Sequence, residues 1–425
     1  MNQFLPFIGT RYNSQKVKLK DVVSPPYDVI SQAMQTELYQ RDEHNVVRLE
    51  LNHDPDPYTS AKTYFDEWKA EEVLQSESAP VFYVYYQTFL TPEGKQVTRR
   101  GVLGKLRLTP YSSGDVLPHE RTHMGPKEDR VKLLTIAGTQ FSPIFGLIDD
   151  EQQIFDHTID SVVASAPLAD IDEELASGDE VRHTMWKLDD HALIARLQKL
   201  IASKKVIIAD GHHRYESSLI YADQHPENEG AQYIMIYLAN LHGDGTIILP
   251  THRLLYGRED FNQFDFLSRL RKEFDVEVTG SREEGMQAMN TGHAITLIQF
   301  PEAPEFVVVR EHPQESDTLS PVEKLAVEKL QERILKPIVG LSQEEINSRI
   351  NLLYPHTLPE LDEMIREHGL DAAFILNPTT PQEVIDVTAV GEFMPQKSTY
   401  FYPKLLSGLV FYEFGNNAVS KPASN

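Results

Sequence analysis

Residues 206–215, VIIADGHHRY, constrain this chain more than any other stretch. Val206–Ala209 reads as a short buried strand, Asp210-Gly211 as a turn, and a helix starts at His212 and runs to about Ala222. A strand that passes through a glycine turn into a helix aims backbone N–H groups and the positive helix end at whatever lies outside the turn. Gly211 lets a ligand approach the backbone closely. Arg214 adds a planar guanidinium suited to phosphate, and His212 and His213 are further donors. The spacing is neither a Walker loop nor a dinucleotide fingerprint. From the residues alone two readings stand: an anion site built on Asp210–Arg214, or a plain helix start capped by Asp210.

Charge narrows the partners. Lys plus Arg is 40 and Asp plus Glu is 64 in 425 residues, a formal net charge of −24. So acidic a chain lacks the basic footprint of a nucleic-acid binder and is repelled by anionic membranes. It can bind an anion only through local islands of positive charge. Cysteine is absent, which removes disulfides, thiolate nucleophiles and Cys-containing zinc sites, and fits a reducing compartment. The opening MNQFLPFIGTRYNSQK has no basic region followed by a long apolar one, and no apolar run approaches the ~18 residues of a spanning helix. The expectation is a soluble, cytoplasmic protein.

The expected fold class is α+β, with mixed sheets and packed helices. Residues 81–89 and 98–108 flank a Pro-Glu-Gly turn and read as a hairpin; 58–72 and 189–203 read as amphipathic helices. Beyond 257, helix and strand alternate: helices at 261–273, 321–335 and 358–368, strands at 294–299, 305–310 and 372–376. The stretch 149–180 holds eleven acidic residues and no Lys or Arg. It reads as a solvated connector. Three domains are therefore expected: 1–150, 151–256 and 257–425, the last interleaving with the second.

Three other segments carry candidate chemistry. Residues 117–132, LPHERTHMGPKEDRVK, contain His-Glu-x-x-His, but Pro118 and Gly125-Pro126 leave too short a helix for a zinc site. The stretch reads instead as a loop dense in ionisable groups: His119, Glu120, Arg121, Lys127, Asp129 and Arg130. In KDVVSPPYDVIS, two prolines fix a turn that presents Tyr27 and Asp28; these suit either holding a metal or orienting a hydroxyl, or a structural turn capped by Asp28. Residues 391–408, GEFMPQKSTYFYPKLLSG, concentrate Lys397, Ser398, Thr399 and Lys404 around aromatic residues. They suit either closure over an anionic substrate or a packed turn whose lysines reach solvent. Pro-Thr-His-Arg at 250–253 and the lone Arg11 near the start are weaker signals.

Taken in order, PF-x-x-x-RY, DVVSPPYDVIS, LPHERT, GPKEDR, FSPIFGL, IADGHHRYE, LPTHRL and GEFMPQKSTYFYPKLLSGL resemble the bacterial and archaeal family known as domain of unknown function 1015, from about residue 4 to 410. More distantly, the turn at 210–214 is similar to the phosphate-binding turn of the ParB/sulfiredoxin-like superfamily, which includes nucleotide-binding proteins and kinases of free serine. That resemblance implies a ParB/sulfiredoxin-like nucleotide-binding core within the α+β fold. It also implies ATP or ADP with Mg2+, and a small hydroxy compound, free serine first, as acceptor. The nucleotide phosphates would lie on Asp210, Gly211, His212, His213 and Arg214, with Lys127 and Arg130. Those kinases use an upstream glutamate as base. Here Leu117-Pro118-His119-Glu120 resembles that element, so Glu120 with His119 is the candidate, and Asp28 the reserve base and metal ligand. Arg11, Tyr27, Lys397, Ser398 and Thr399 would meet the substrate. The departure from the family is spacing: 90 positions separate Glu120 from Asp210. The reaction could also run in reverse on phosphoserine. A metal-dependent phosphohydrolase and a non-enzymatic nucleotide-binding switch are the alternatives. The partners expected are the small substrate and nucleotide, with no nucleic acid and no membrane, and a homo-oligomer is compatible with the sequence.

Overall fold

The computed structural model describes residues 2–120, 124–175, 178–312, 319–348 and 350–417. The chain divides into two compact units. The first comprises Met1–Pro118, Thr122–Ile247 and Pro403–Asn425; the second comprises His119–Arg121 and Ile248–Tyr402. The acidic stretch lies inside the first unit.

The first unit is built on a nine-stranded mixed sheet. In spatial order its strands are Val116–Pro118, Val206–Asp210, Ile144–Ile148, Tyr233–Asn240, Gln96–Arg107, Phe82–Leu90, Glu180–Leu188 and Ala169–Glu174, with Phe4–Leu5 also paired to Gln96–Arg107. The expected hairpin forms, in register from Tyr83↔Leu103 to Leu90↔Gln96. Its aromatic and β-branched side chains are buried on both faces, as a central strand requires. Two pairings are parallel, Val206–Asp210 with Val116–Pro118 and Tyr233–Asn240 with Ile144–Ile148.

Helix His191–Ala202, capped by Asp190, packs Leu197 and Ile201 into the same core as Val206 and Ile208. Helix Pro57–Ala70, capped by Asp56, fills a second core with Phe65 and Trp68. Above that core lies a four-stranded sheet in the order Leu74–Ser76, Gly9–Tyr12, Phe411–Glu413, Thr139–Gln140.

Two readings from the sequence are corrected here. The acidic stretch is structured: it contains helix Ile154–Ile159 and strand Ala169–Glu174, paired antiparallel with Glu180–Leu188. Ala169 and Ile171 turn inward while Asp170 and Asp172 turn out, so the acidic residues decorate one face of an edge strand. The charged segment after Glu120 is a helix, Met124–Ala137, rather than a loop. Pro126 is accommodated because the first helical N–H groups have no partner in the helix to lose. Arg121 and His123 lie outside the described residues.

The second unit carries a six-stranded antiparallel sheet, ordered Asp275–Thr279, Phe306–Arg310, Ala294–Gln299, Ala372–Ile375, Arg253–Leu255, Leu352–Leu353. Leu254, Leu297, Val308, Leu361 and Ile375 form its core. Helices Gln263–Glu273 and Leu358–His368 fall where periodicity put them. The helix expected over 321–335 is interrupted. Leu325 is extended at ψ 134° between two short helices, and a π-helical run, Leu330–Val339, carries Pro337 inside it. Proline cannot join the ordinary ladder and locally displaces it. The architecture is α+β. Among the described residues no helix is long and apolar enough to cross a membrane.

Candidate functional site

In the first unit, strand Val206–Asp210 ends at Gly211, whose φ of 92° is left-handed, and helix His212–Gln224 begins there. Asp210 is not the cap; the N-cap position belongs to Gly211, which has no side chain to offer the helix. The Asp210 carboxylate instead gathers two cations. Arg214 Nη2 donates to Oδ2 at 2.7 Å and Lys404 Nζ to Oδ1 at 2.7 Å. Burial works against ionisation of Asp210, but Lys404 and Arg214 outweigh it and hold the carboxyl well below the usual carboxylate range. Buried His212 adds to that pull.

Arg214 Nη1 also donates to Ser142 Oγ at 3.2 Å and to the Pro143 carbonyl at 2.5 Å, which ties the turn to the FSP segment. Lys404 is placed by its backbone: Gln87 Nε2 donates to the Lys404 carbonyl at 2.8 Å, and buried Arg99 donates to the Pro403 carbonyl.

Behind this cluster lies Glu50, 5% exposed, whose two carboxylate oxygens accept from Ser142 and Ser407. Both terminal nitrogens of Arg130 donate to the Glu50 carbonyl, and its guanidinium lies 4.2 Å from the centre of the Tyr27 ring. One small recess is lined by Pro26, Asp210, Lys404 and Leu406, and another by Glu50, Arg130 and Phe141; Ser142 and Arg214 line both.

Of the residues proposed from sequence, the first unit thus brings Tyr27, Asp210, Gly211, Arg214 and Arg130 into one neighbourhood, with Asp28 close enough to act on Arg214 electrostatically. His213 follows His212 on the first helical turn. Lys127 is paired with Glu216. Arg11 lies in the four-stranded sheet, ion-paired to Glu77 at 2.8 Å. Asp149, Glu151 and His242 could together hold a metal; among the described residues no such group includes Asp28.

The second unit holds a separate polar cluster. The Met394 amide donates to the His119 carbonyl at 2.8 Å, and Glu120 bridges to Met394. His119 Nε2 lies 2.8 Å from Thr399 Oγ1, and Ser398 Oγ donates to the Pro395 carbonyl at 2.6 Å. Lys397 adopts a left-handed φ of 59°, a strained backbone for a residue with a side chain. Its carbonyl accepts from Arg253 Nη2 at 3.1 Å. So His119, Glu120, Lys397, Ser398 and Thr399 are neighbours, joined by the Thr-His-Arg segment that sequence alone rated weak.

Beside Arg253, His252 accepts the Leu376 amide on Nδ1 at 3.1 Å. Burial first, then Arg253 and Arg282, pushes His252 down to about 4. An unfolded histidine titrates near 6.5, so between these values the unfolded chain binds more protons. The stabilisation is complete above about pH 6.5 and is lost as pH falls toward 4, by about 3 kcal/mol. Urea unfolding at pH 7 and pH 4.5 should show this loss, and His252→Gln should flatten it.

Gly211 makes a second prediction. A Cβ there would lie 2.7 Å from Ile144 Cγ2, in addition to the left-handed φ. Gly211→Ala should cost about 1–3 kcal/mol, read as a lower thermal midpoint.

Glu50, Ser142, Ser407, Gln87 and Arg99 were missed by the sequence reading. The available signal was polarity out of place: Gln87 interrupts the apolar run VFYVYYQTF, and Glu50 sits between two leucines.

The architecture and these clusters describe an α+β protein whose sequence motifs gather at two polar centres, one per unit. The chain belongs to the family described as Protein of unknown function (DUF1015), which it matches over residues 4–328. The 391–408 segment lies beyond that match. No curated protein matches the chain. Among solved structures it is similar to a conserved hypothetical protein from Pyrococcus furiosus, at 14% identity and a TM-score of 0.36, covering 70% of this chain and 93% of that one. It is similar to a mutant free serine kinase in complex with ADP, at 14% identity and a TM-score of 0.37, covering 70% and 90%. It is also similar to a C-terminally truncated SbnI from Staphylococcus aureus, at 12% identity and a TM-score of 0.36, covering 72% and 85%.

Proposed function

We propose that the protein is a nucleotide-dependent phosphotransferase acting on a small hydroxy compound, with free serine as acceptor and a ParB/sulfiredoxin-like core as its nucleotide-binding element. The observation that carries the reading is the Asp210–Arg214–Lys404 cluster at a glycine turn where a strand passes into a thirteen-residue helix. Such a turn offers backbone N–H groups and a positive helix end. Asp210 holds both cations in place before any ligand arrives, so little ordering remains to be done on binding. In a chain of net charge −24, Lys404 and Arg214 form the local positive island that a di- or triphosphate requires.

In the proposed reaction the acceptor hydroxyl gives its proton to the Glu120 carboxylate. A bond forms from that oxygen to the terminal phosphorus, and the bond from phosphorus to the bridging oxygen breaks. ATP then leaves as ADP, or ADP as AMP. His119, fixed by Thr399, steadies Glu120, while Lys397, Ser398 and Thr399 face the acceptor. Asp28 would be the carboxylate offered to magnesium bound with the nucleotide, which would neutralise charge on the phosphates.

The test is incubation with Mg2+, free serine and either ATP or ADP, followed by mass spectrometry. O-phosphoserine should appear in step with ADP or AMP. Absence of a phosphorylated product across a panel of small hydroxy compounds contradicts the reading. Phosphate release without an acceptor would favour a phosphohydrolase instead.

A further inference from the structure

Arg253 in the second unit is 2% exposed, and its surroundings are those of a cation awaiting a partner. Its guanidinium donates to two backbone carbonyls, those of Thr251 and Lys397, and lies 5.0 Å from the centre of the Tyr354 ring. Among the described residues it forms no ion pair. Glu120 is the one carboxylate that acts on it electrostatically, and it does so from beyond ion-pair distance. Two arginines of the first unit differ: buried Arg130 is paired with Asp129 at 2.5 Å and half-buried Arg214 with Asp210 at 2.7 Å.

A buried charge without a counter-charge is costly, and arginine does not escape by losing its proton at neutral pH. Burial lowers Arg253 only to about 10, so the cation persists. Carbonyls and a ring face soften the cost but leave the positive charge unmatched. Glu120, Tyr354 and Lys397, which act on or bond to this arginine, are half-buried.

We propose that Arg253 is the anchor for the carboxylate of the acceptor, so that the substrate class is a small hydroxy acid or hydroxy amino acid rather than a neutral alcohol. The inference rests on the phosphotransferase reading only for the word acceptor. A planar guanidinium takes a carboxylate through two parallel N–H···O bonds, which fixes orientation as well as position. Glu120, on the same cluster, then stands beside a hydroxyl carried one or two carbons from that carboxylate. The same arginine, through the Lys397 carbonyl, holds the strained turn that bears Ser398 and Thr399.

The experiment is equilibrium binding by calorimetry, without nucleotide, of L-serine, L-lactate, glycolate and serinamide to the full chain. Wild type should bind at least one of the three acids and should bind L-serine at least ~30-fold more tightly than serinamide, which lacks the carboxylate. Arg253→Met should lose that preference, and Arg253→Lys should keep part of it; thermal melts accompany both variants. If Arg253→Met does not fold, Arg253→Lys decides, because a point charge without the fork must weaken acid binding relative to wild type. Equal affinity for L-serine and serinamide, unchanged acid binding in the variants, or no acid binding by wild type overturns the proposal. Phosphotransfer is assayed apart from this. Its absence in a wild type that binds acids through Arg253 sinks the kinase reading and leaves the anion anchor standing. Full transfer to free serine by Arg253→Met does the reverse.

Discussion

Glu120→Gln is expected to lower phosphotransfer to free serine by ~10²–10⁴-fold while leaving nucleotide affinity within about twofold of wild type. The substitution keeps the shape of the side chain and the backbone bridge to Met394, and it removes only the proton acceptor. Glu120 is not among the residues proposed to hold the phosphates, so affinity and rate should separate. Steady-state rates by mass spectrometry and dissociation constants by calorimetry measure the two effects independently. A variant that turns over at the wild-type rate would remove Glu120 from the mechanism and move attention to Asp28.

Lys404→Met is expected to act in the opposite sense, on binding and stability together. Loss of one charge-assisted phosphate contact should weaken ATP or ADP by ~10–100-fold. The same change leaves Asp210 with Arg214 as its one remaining ion-pair partner, in a site where burial disfavours the carboxylate. A cost of about 3 kcal/mol follows at neutral pH.

The sign with pH is definite. In wild type the Asp210 carboxyl is held below its unfolded value, so its contribution is present at neutral pH and is lost only as pH falls through the depressed folded value. Without Lys404 that value rises toward the unfolded one, so the stability it contributes at neutral pH is smaller and less of it remains to be lost in acid. Chemical unfolding at pH 7 and pH 3 should therefore show a smaller acid-induced loss in the variant than in wild type. If Lys404→Met binds nucleotide as well as wild type, the lysine serves Asp210 alone.

Much of the fold can be read from the residues, and the gaps have physical causes. Periodicity located helices His191–Ala202 and Leu358–His368, and apolar runs located strands Val206–Asp210 and Ala294–Gln299, because burial of one face writes itself into local spacing. Strand Ala169–Glu174 carried the same alternation. Its acidic outer face drew it into a connector reading, although Ala169 and Ile171 mark an inward side. The return of Pro403–Asn425 to the first unit was hidden, because the rest of that unit ends at Ile247 and no local pattern encodes such a return.

The sites were half legible. The turn at Gly211 was visible, since a glycine between strand and helix is a local signal. What was not visible was that Lys404 and Arg214, read as islands of positive charge, share one carboxylate, Asp210. Likewise Arg253 looked like a weak His-Arg pair. Only the fold sets it beside Glu120 and beneath Lys397, with its charge unmatched by any ion pair among the described residues.

The most direct measurement is a crystal structure of the protein with ATP and Mg2+ bound. The account predicts phosphate oxygens within about 3 Å of the backbone N–H groups at Gly211–Arg214 and of Lys404 Nζ. A nucleotide bound elsewhere, with the Asp210–Arg214–Lys404 cluster unchanged, would contradict it.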